Sequence, residues 1–359
     1  MAEQTKSSRV NGKDSIAVNA RFHVHRKAGM QRYAHEVSSR LSEHLREIRP
    51  SYALKGPVGH LWEQVCLPAS VGSSLLWSPN NTGPVFVRHQ VCTIHDIIPI
   101  DRPEWFSRSF VSWYKYLLPA LAKSAQHLIA ISEFTRSRII NAFGVAPEKV
   151  SVVLNGIGPE FWPRPASEVE RVRKTLGISP APYLLYVGSV EPRKNLVRLL
   201  DAWERIHKSC PDTQLLITGL STRGSRVFSD VNISRIPERV FFTGYVSDED
   251  LPALYSGAVA FVYPSLYEGF GLPPAEAMAC GTPVITSNGT SLPEVVGDAA
   301  VLVDPENVTS IADAILRVVN NESLRSEMSR RGIKRAQRFT WDNAAAQTWE
   351  ILSREALVA

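Results

Sequence analysis

The sequence predicts an α/β protein made of two doubly wound sheets. Three observations lead there. Short runs of Val, Ile, Leu and Phe recur without polar alternation, as strands buried on both faces of a parallel sheet require. Helical stretches separate most of these runs. A proline-rich segment at 159–167, P-E-F-W-P-R-P-A-S, parts them into two sets, and 359 residues are enough for two domains of about 150 each.

In chain order, residues 1–14 are polar and lack the apolar core of a signal peptide, so a mobile tail is expected. Residues 15–165 form the expected first domain, with strand-like runs at 15–19, 75–77, 91–94, 128–131 and 151–154 and helical stretches at 31–47 and 107–123. Residues 166–338 form the second, with strand-like runs at 183–187, 215–218, 240–242, 258–263, 283–286 and 300–303 and helical stretches at 196–207 and 311–320. Residues 339–359 carry a last helix, from Trp341 to about Leu357. A cleft between two α/β domains is a favoured ligand site.

Apolar residues make up 44% and charged residues 21%, an ordinary globular composition, and no run of about 18 apolar residues offers a membrane span. Cys66, Cys92, Cys210 and Cys280 are scattered without metal-ligand spacing; reduced thiols in a cytoplasmic protein are the simplest reading. Net charge is +5, and residues 1–50 hold ten Lys/Arg against five Asp/Glu. That excess suits phosphate-bearing acceptors or an anionic membrane face, and equally a plain solvated surface. No nucleic-acid-binding motif accompanies it, so no nucleic acid partner is expected.

The chemistry concentrates at 267–286, Y-E-G-F-G-L-P-P-A-E-A-M-A-C-G-T-P-V-I-T. A glycine-bearing loop carries Glu268. The Pro273–Pro274 pair suits the first turn of a helix, where a missing N–H costs nothing, and would put Glu276 in that turn. Between the acids, the N–H groups of Phe270, Gly271 and Leu272 at a helix start make an anion-binding arrangement. Acid, amide nest, acid fits a ligand with hydroxyls at both ends and phosphate between, which is the shape of a nucleotide-sugar. Either glutamate taken singly is equally an ordinary loop or helix-start acid.

Upstream, Y-V-G-S-V-E-P-R-K-N-L at 186–196 follows a strand and precedes a helix, the place where open α/β sheets bind ligands. Gly188 permits close backbone approach. Arg193 and Lys194 supply two cations suited to a departing diphosphate, whose charge grows as the glycosidic bond breaks. Asn195 is a candidate N-cap. The plain alternative is a surface cation pair, although cations at a helix start are unfavourable without an anion nearby.

His95 and Asp96, in T-I-H-D-I-I-P, end a buried strand; Gly29, in A-G-M-Q-R-Y-A-H-E-V, opens a helix behind a basic loop. All three serve equally well as structural residues. Ser132 and Ser247 read as N-caps. Trp105, Phe106, Phe110, Trp113 and Tyr114 make an aromatic cluster, either core packing or a surface that meets a lipid-linked sugar. No G-x-G-x-x-G stands in the Gly29 turn and no Walker sequence anywhere, which argues against dinucleotide redox chemistry and P-loop hydrolysis.

These strings resemble the E-x7-E signature of the retaining glycosyltransferases of family four, which have the GT-B fold of two Rossmann-like domains. The resemblance runs from about Asn19 to the C-terminus and is most specific from Tyr183 to Val303. It implies that Glu276 takes ribose hydroxyls, that Glu268 and the 270–272 amides hold the donor sugar, and that Lys194, helped by Arg193, stabilises the leaving diphosphate. It further implies that His95 touches the donor sugar beside Asp96, and that the Gly29 turn lies at the donor–acceptor junction. The backbone at Tyr245 and Val246 would contact the base, and the last helix would cross back onto the first domain. Front-face attack is implied, with the leaving phosphate taking the acceptor proton. The family often carries an arginine directly after the Gly188 position, where this chain has Ser189.

No cofactor and no metal is expected, because the nucleotide-sugar is a substrate and two cations with a helix terminus supply the positive charge. The wording of 188–196 and 268–276 looks closest to bacterial mannosyl- or rhamnosyltransferases of surface polysaccharide or lipopolysaccharide synthesis. That makes a GDP-sugar, GDP-mannose first, the expected donor and a glycan or lipid-linked saccharide the expected acceptor. The expected location is cytoplasmic, with peripheral contact on an anionic membrane face. Two other readings remain: a GT-B epimerase that needs no acceptor, and a non-catalytic module that binds sugar nucleotides or glycans.

Overall fold

The computed structural model describes residues 15–24, 29–54, 56–219, 227–233 and 235–358. The expected tail at 1–14 and part of the basic loop before Gly29 lie outside the described residues. Two compact units emerge. One is built from the chain up to Asp101, from Ser109–Gly156 and from Thr340 onward; the other comprises Arg102–Arg108 and Ile157–Phe339.

The boundary therefore falls after Gly156, not after residue 165. The intervening segment is tied to the second unit: Ile157 N–H donates to the Phe339 carbonyl at 3.0 Å, and Arg164 N–H to Ser256 Oγ at 2.9 Å. Residues 102–108 also leave the first unit, because Ser107 N–H bonds the Val227 carbonyl and Ser229 N–H the Trp105 carbonyl, both at 2.9 Å. That split divides the expected aromatic cluster. Phe106 packs on Phe228 in the second unit, while Phe110 stacks on Tyr114 and Trp113 and Tyr114 pack on the core of the first. Core packing is therefore supported for Trp113 and Tyr114, while Trp105, Phe106 and Phe110 are half-buried.

The first unit holds β1 (Ile16–Asn19), β2 (Arg46–Ile48), β3 (Leu75–Ser78), β4 (Gln90–Ile94), β5 (His127–Ala130) and β6 (Val150–Val152). They form one parallel sheet in the order β2-β1-β3-β4-β5-β6. The second holds β7 (Tyr183–Val187), β8 (Gln214–Thr218), β9 (Val240–Gly244), β10 (Ala260–Tyr263), β11 (Val284–Ser287) and β12 (Ala300–Val303). Their sheet is also parallel, in the order β12-β11-β10-β7-β8-β9. Most strands are buried throughout, which is why their sequences run apolar without alternation.

The order of each sheet reverses once, between β1 and β3 in the first unit and between β7 and β10 in the second. A reversal of this kind opens a crevice beyond the carboxyl ends of the two strands. In the second unit the loops leaving that point are the two the sequence singled out.

Two departures from expectation have local causes. The helix expected over 31–47 spans Met30–Arg40, and Arg46–Ile48 becomes an edge strand on β1. Three residues with a single buried side chain carry too little period to read as a strand. The helix Gly56–Val71 has its polarity reversed: its one charged residue, Glu63, is buried, while Val58, Leu61 and Val65 are exposed. Asn19 Nδ2 at 2.7 Å and Thr82 Oγ1 at 2.8 Å donate to Glu63 Oε1, and the Arg21 guanidinium lies 3.3 Å from its Oε2.

The last helix, Trp341–Ala356, belongs to the first unit. Its buried Trp341, Ala344, Ala345, Ile351 and Leu352 share a core with Ile16, Tyr33, Leu75 and Trp77. Thr340 caps it, accepting from Asn343 N–H at 3.2 Å.

Candidate active site

β7 and β10 lie in register, Leu184 opposite Ala260 and Leu185 opposite Phe261, so the loops after them start side by side. Backbone and side chains then zip these loops together. Leu266 N–H donates to the Arg193 carbonyl at 2.7 Å. Asn195 Nδ2 donates to the carbonyls of Pro264 at 2.9 Å and Pro305 at 2.7 Å. Asn195 stands at the start of the Leu196–Ile206 helix at φ +57°, a left-handed conformation asparagine tolerates. Its side chain makes no cap bond, so the expected N-cap is a tether between loops instead.

This zipping brings Lys194 and Arg193 onto Glu268. Glu268 Oε1 accepts from Lys194 Nζ at 2.7 Å and from Tyr263 Oη at 2.8 Å, and the Ser265 hydroxyl also reaches it at 2.7 Å. Glu268 Oε2 accepts from Arg193 Nη1 at 2.8 Å. Arg193 Nη2 pairs in turn with Glu191 Oε1 at 2.8 Å. All of these groups are buried except the Arg193 guanidinium, which keeps 21% exposure.

Burial alone would raise the Glu268 carboxyl; Arg193 and then Lys194 outweigh it and hold the group down to about 2. The Lys194 ammonium is lowered, first by burial and then by Arg193, with Glu268 and Glu191 opposing. Two cations thus face two buried carboxylates. They do not form the bare pair that the sequence suggested. Lys194 uses two of its N–H bonds on Glu268 and Tyr263 among the described residues, which leaves a third.

Glu268 leads into the helix Leu272–Ala279. Gly271 caps it at φ +111°, where a Cβ would also strike Leu292 Cδ2 at 2.7 Å, so only glycine fits. Pro273 and Pro274 remove two first-turn donors, which confines the open N–H groups to Phe270, Gly271 and Leu272. Ser291 Oγ lies 2.9 Å from the Glu268 carbonyl and 2.7 Å from that of Phe270, fixing the loop.

Glu276 sits differently from expectation. The helix begins at Leu272, so Glu276 opens its second turn rather than lying in the first, and the side chain is buried. Tyr255 Oη donates to its Oε2 at 3.3 Å.

Gly188 closes β7, donating to the Thr218 carbonyl at 2.9 Å. The backbones at Gly188 and Gly219 approach so closely that a Cβ on Gly219 would lie 2.0 Å from the Gly188 carbonyl oxygen. Tyr245 and Val246 follow β9 at the edge of the sheet, the first exposed and the second buried. Ser247 Oγ accepts from Asp250 N–H at 3.2 Å, so it caps the turn before the Leu251–Ser256 helix. Asp248 and Asp250 stand at an Asp-x-Asp spacing in that turn, but Asp250 is committed to Arg171 at 2.8 Å and to Ser247. Among the described residues no group of three or more His, Cys, Asp or Glu could hold a metal ion.

Three expected site residues lie in the first unit. His95 follows β4 and is buried; its Nε2 lies 2.7 Å from the Pro79 carbonyl, which can only accept, so Nε2 carries the proton. Burial lowers the imidazole to about 4. Asp96 Oδ1 accepts from Ile98 N–H at 3.1 Å, a local turn cap. Gly29, at φ +50°, precedes the Met30–Arg40 helix with open space where a Cβ would stand. Ser132 Oγ accepts from Thr135 N–H at 3.0 Å, the expected cap.

Sequence reasoning missed Tyr263, Ser265 and Glu191. The signal was present: Tyr263 ends the strand, Ser265 is two residues on, and Glu191 lies between Gly188 and Arg193.

Two doubly wound units, with cations, an acid and an amide nest gathered at the reversal of one sheet, define the architecture of GT-B glycosyltransferases. The model for glycosyl transferases group 1 matches residues 168–335, and the model for glycosyltransferase family 4 matches residues 68–161. The O-antigen chain mannosyltransferase B of Escherichia coli is 37% identical over 276 residues, covering 75% of this chain and 71% of that protein. The serotype-specific mannosyltransferase WbdA of the same species is 29% identical over 265 residues, 71% of this chain but only 32% of its own length. Anabaena Alr3699/HepE, solved in complex with UDP-glucose, superposes with a TM-score of 0.73 at 17% identity, over 94% of this chain and 99% of that one. The chain belongs to the family-four glycosyltransferases and has the GT-B fold.

Proposed function

We propose that the chain is a retaining glycosyltransferase that moves a hexose, mannose from GDP-mannose first, to a lipid-linked saccharide in surface polysaccharide synthesis. One observation carries the reading: Lys194, Arg193 and Glu268 meet beside the 270–272 amides at the reversal point of the second sheet. The names of the relatives, O-antigen chain mannosyltransferase B and WbdA, support the choice of mannose and of polysaccharide.

In this reading the diphosphate lies over the amide nest and takes the third N–H of Lys194. As the sugar–phosphate bond breaks, charge builds on the leaving oxygen and the ammonium answers it without a metal ion. Arg193 adds field but is shared between Glu191 and Glu268. Glu268 orients the cations and offers its remaining lone pairs to donor-sugar hydroxyls. Glu276 takes ribose hydroxyls. The leaving phosphate accepts the acceptor proton on the front face, which retains the anomeric configuration. His95, neutral at pH 7, contributes a hydrogen bond to the sugar and no proton. The enzyme works at the cytoplasmic face of the membrane, drawn there by its basic N-terminal region.

The experiment is incubation of the chain with GDP-mannose in EDTA, with and without mannose-terminated lipid-linked acceptor. Transfer with release of GDP only when acceptor is present supports the reading. Conversion of the donor alone would identify an epimerase; binding without turnover of any donor would identify a non-catalytic module.

A further inference from the structure

We propose that Tyr263 is a positioning residue: its hydroxyl sets the direction in which the Lys194 ammonium points. The inference rests on the reading that Lys194 meets the donor diphosphate. Tyr263 is the last residue of β10, and its ring is fully buried. Phe261 stacks on it at 5.6 Å between centroids, and Tyr186 on the neighbouring strand lies at 6.2 Å. A ring fixed on two sides leaves one place for the hydroxyl.

Lysine is the opposite case, a point charge on a flexible four-carbon stem. Glu268 alone would fix its distance but not its heading, because a carboxylate oxygen accepts over a broad range of angles. The phenol supplies the second point. It donates to Glu268 Oε1 at 2.8 Å, which turns its own lone pair toward Lys194, and Lys194 Nζ donates to it. The ammonium also lies 4.9 Å from the centre of the Tyr263 ring. Three atoms, Nζ, Oη and Oε1, therefore bond pairwise, and the third N–H of the ammonium is left with one heading.

Replacing Tyr263 by Phe keeps the ring, the stacking and the Lys194–Glu268 ion pair and removes only the hydroxyl. A buried ammonium that loses an acceptor holds its proton less well. The Lys194 ammonium is already lowered, first by burial and then by Arg193, and the Tyr263 phenol, raised by burial and then by Glu268, keeps the proton it donates to Glu268.

The test uses the full chain labelled with 13C at lysine Cε, with Lys194→Arg to assign the signal. In Tyr263→Phe the Lys194 titration should move down by about one pH unit, and GDP should bind about tenfold more weakly. Incorporation of 3-fluorotyrosine at position 263, which preserves the fold if the phenylalanine variant does not, should move the titration the same way. An unchanged titration and GDP affinity in a folded variant, whatever its melting temperature, would make the hydroxyl a structural group and overturn the proposal. If the wild-type chain binds neither GDP nor UDP, the functional reading fails while the lysine titration still decides the positioning role.

Discussion

Lys194 Nζ lies 2.7 Å from Glu268 Oε1 although 74 residues separate them in the chain. The parallel pairing of β7 with β10 makes that meeting possible, and the Asn195 tether and the Leu266–Arg193 backbone bond hold it. The cation assigned to the leaving group is thus prepositioned and partly neutralised before any donor arrives.

Lys194→Ala should lower turnover by two to three orders of magnitude, since loss of one donor to developing negative charge costs about 3–4 kcal/mol. The variant should stay folded, because Arg193 remains beside Glu268. Single-turnover transfer from GDP-mannose, read alongside circular dichroism, checks this. Near-normal turnover would remove Lys194 from the chemistry.

Glu276→Ala should weaken binding of GDP about tenfold or more and lower stability by about 1–3 kcal/mol, because a buried hydrogen bond from the Tyr255 hydroxyl to a carboxylate is lost. Titration calorimetry and urea unfolding separate the two effects. A stability loss with unchanged affinity would make Glu276 a structural acid only.

Acid should unfold the second unit through Glu268. Its carboxyl sits at about 2 in the folded chain against an ordinary 4.5. Between those values the unfolded chain binds the extra proton, so stability is fully present above 4.5 and declines as pH falls toward 2. Glu268→Gln should flatten that decline in urea midpoints measured across the window. An identical slope in both proteins would mean that the carboxylate is not held as described.

His95 should titrate near 4 rather than near 6.5, because burial disfavours its charged form. Its stabilising contribution is present above 6.5 and is lost as pH falls toward 4, where the unfolded imidazole protonates first. The ring proton shifts of His95 in NMR spectra give the midpoint directly. A midpoint near 6.5 would show a solvated imidazole rather than a buried neutral one.

Most of the strands and part of the cluster were legible in the sequence for a physical reason. Parallel strands buried on both faces print as unbroken apolar runs, and glycine, proline and charge mark the loops that leave them. Arg193, Lys194, Glu268 and the 270–272 amides could be named because cations at a helix start call for an anion, open amides offer one a site, and the string resembles a family signature. Pairing was not legible. That Lys194 faces Glu268, and that Asn195 tethers a loop rather than capping a helix, follow from the order of β7 and β10, which no local pattern encodes. Tyr263 escaped because a tyrosine ending an apolar strand looks like core. Edge strand β2 escaped because three residues carry too little period, and the helix Gly56–Val71 because its polarity runs against the pattern. The turn occupied by Glu276 depends on where the helix starts, and Gly271 fixes that start.

The central claim is that the Lys194 cluster and the adjoining amides grip a diphosphate. Calorimetric titration of the wild-type chain and Lys194→Ala with GDP and with guanosine tests it most directly. GDP should bind at least a hundredfold more tightly than guanosine, and most of that difference should vanish in the variant. Equal affinity for the two ligands, or a difference that survives the loss of Lys194, would contradict it.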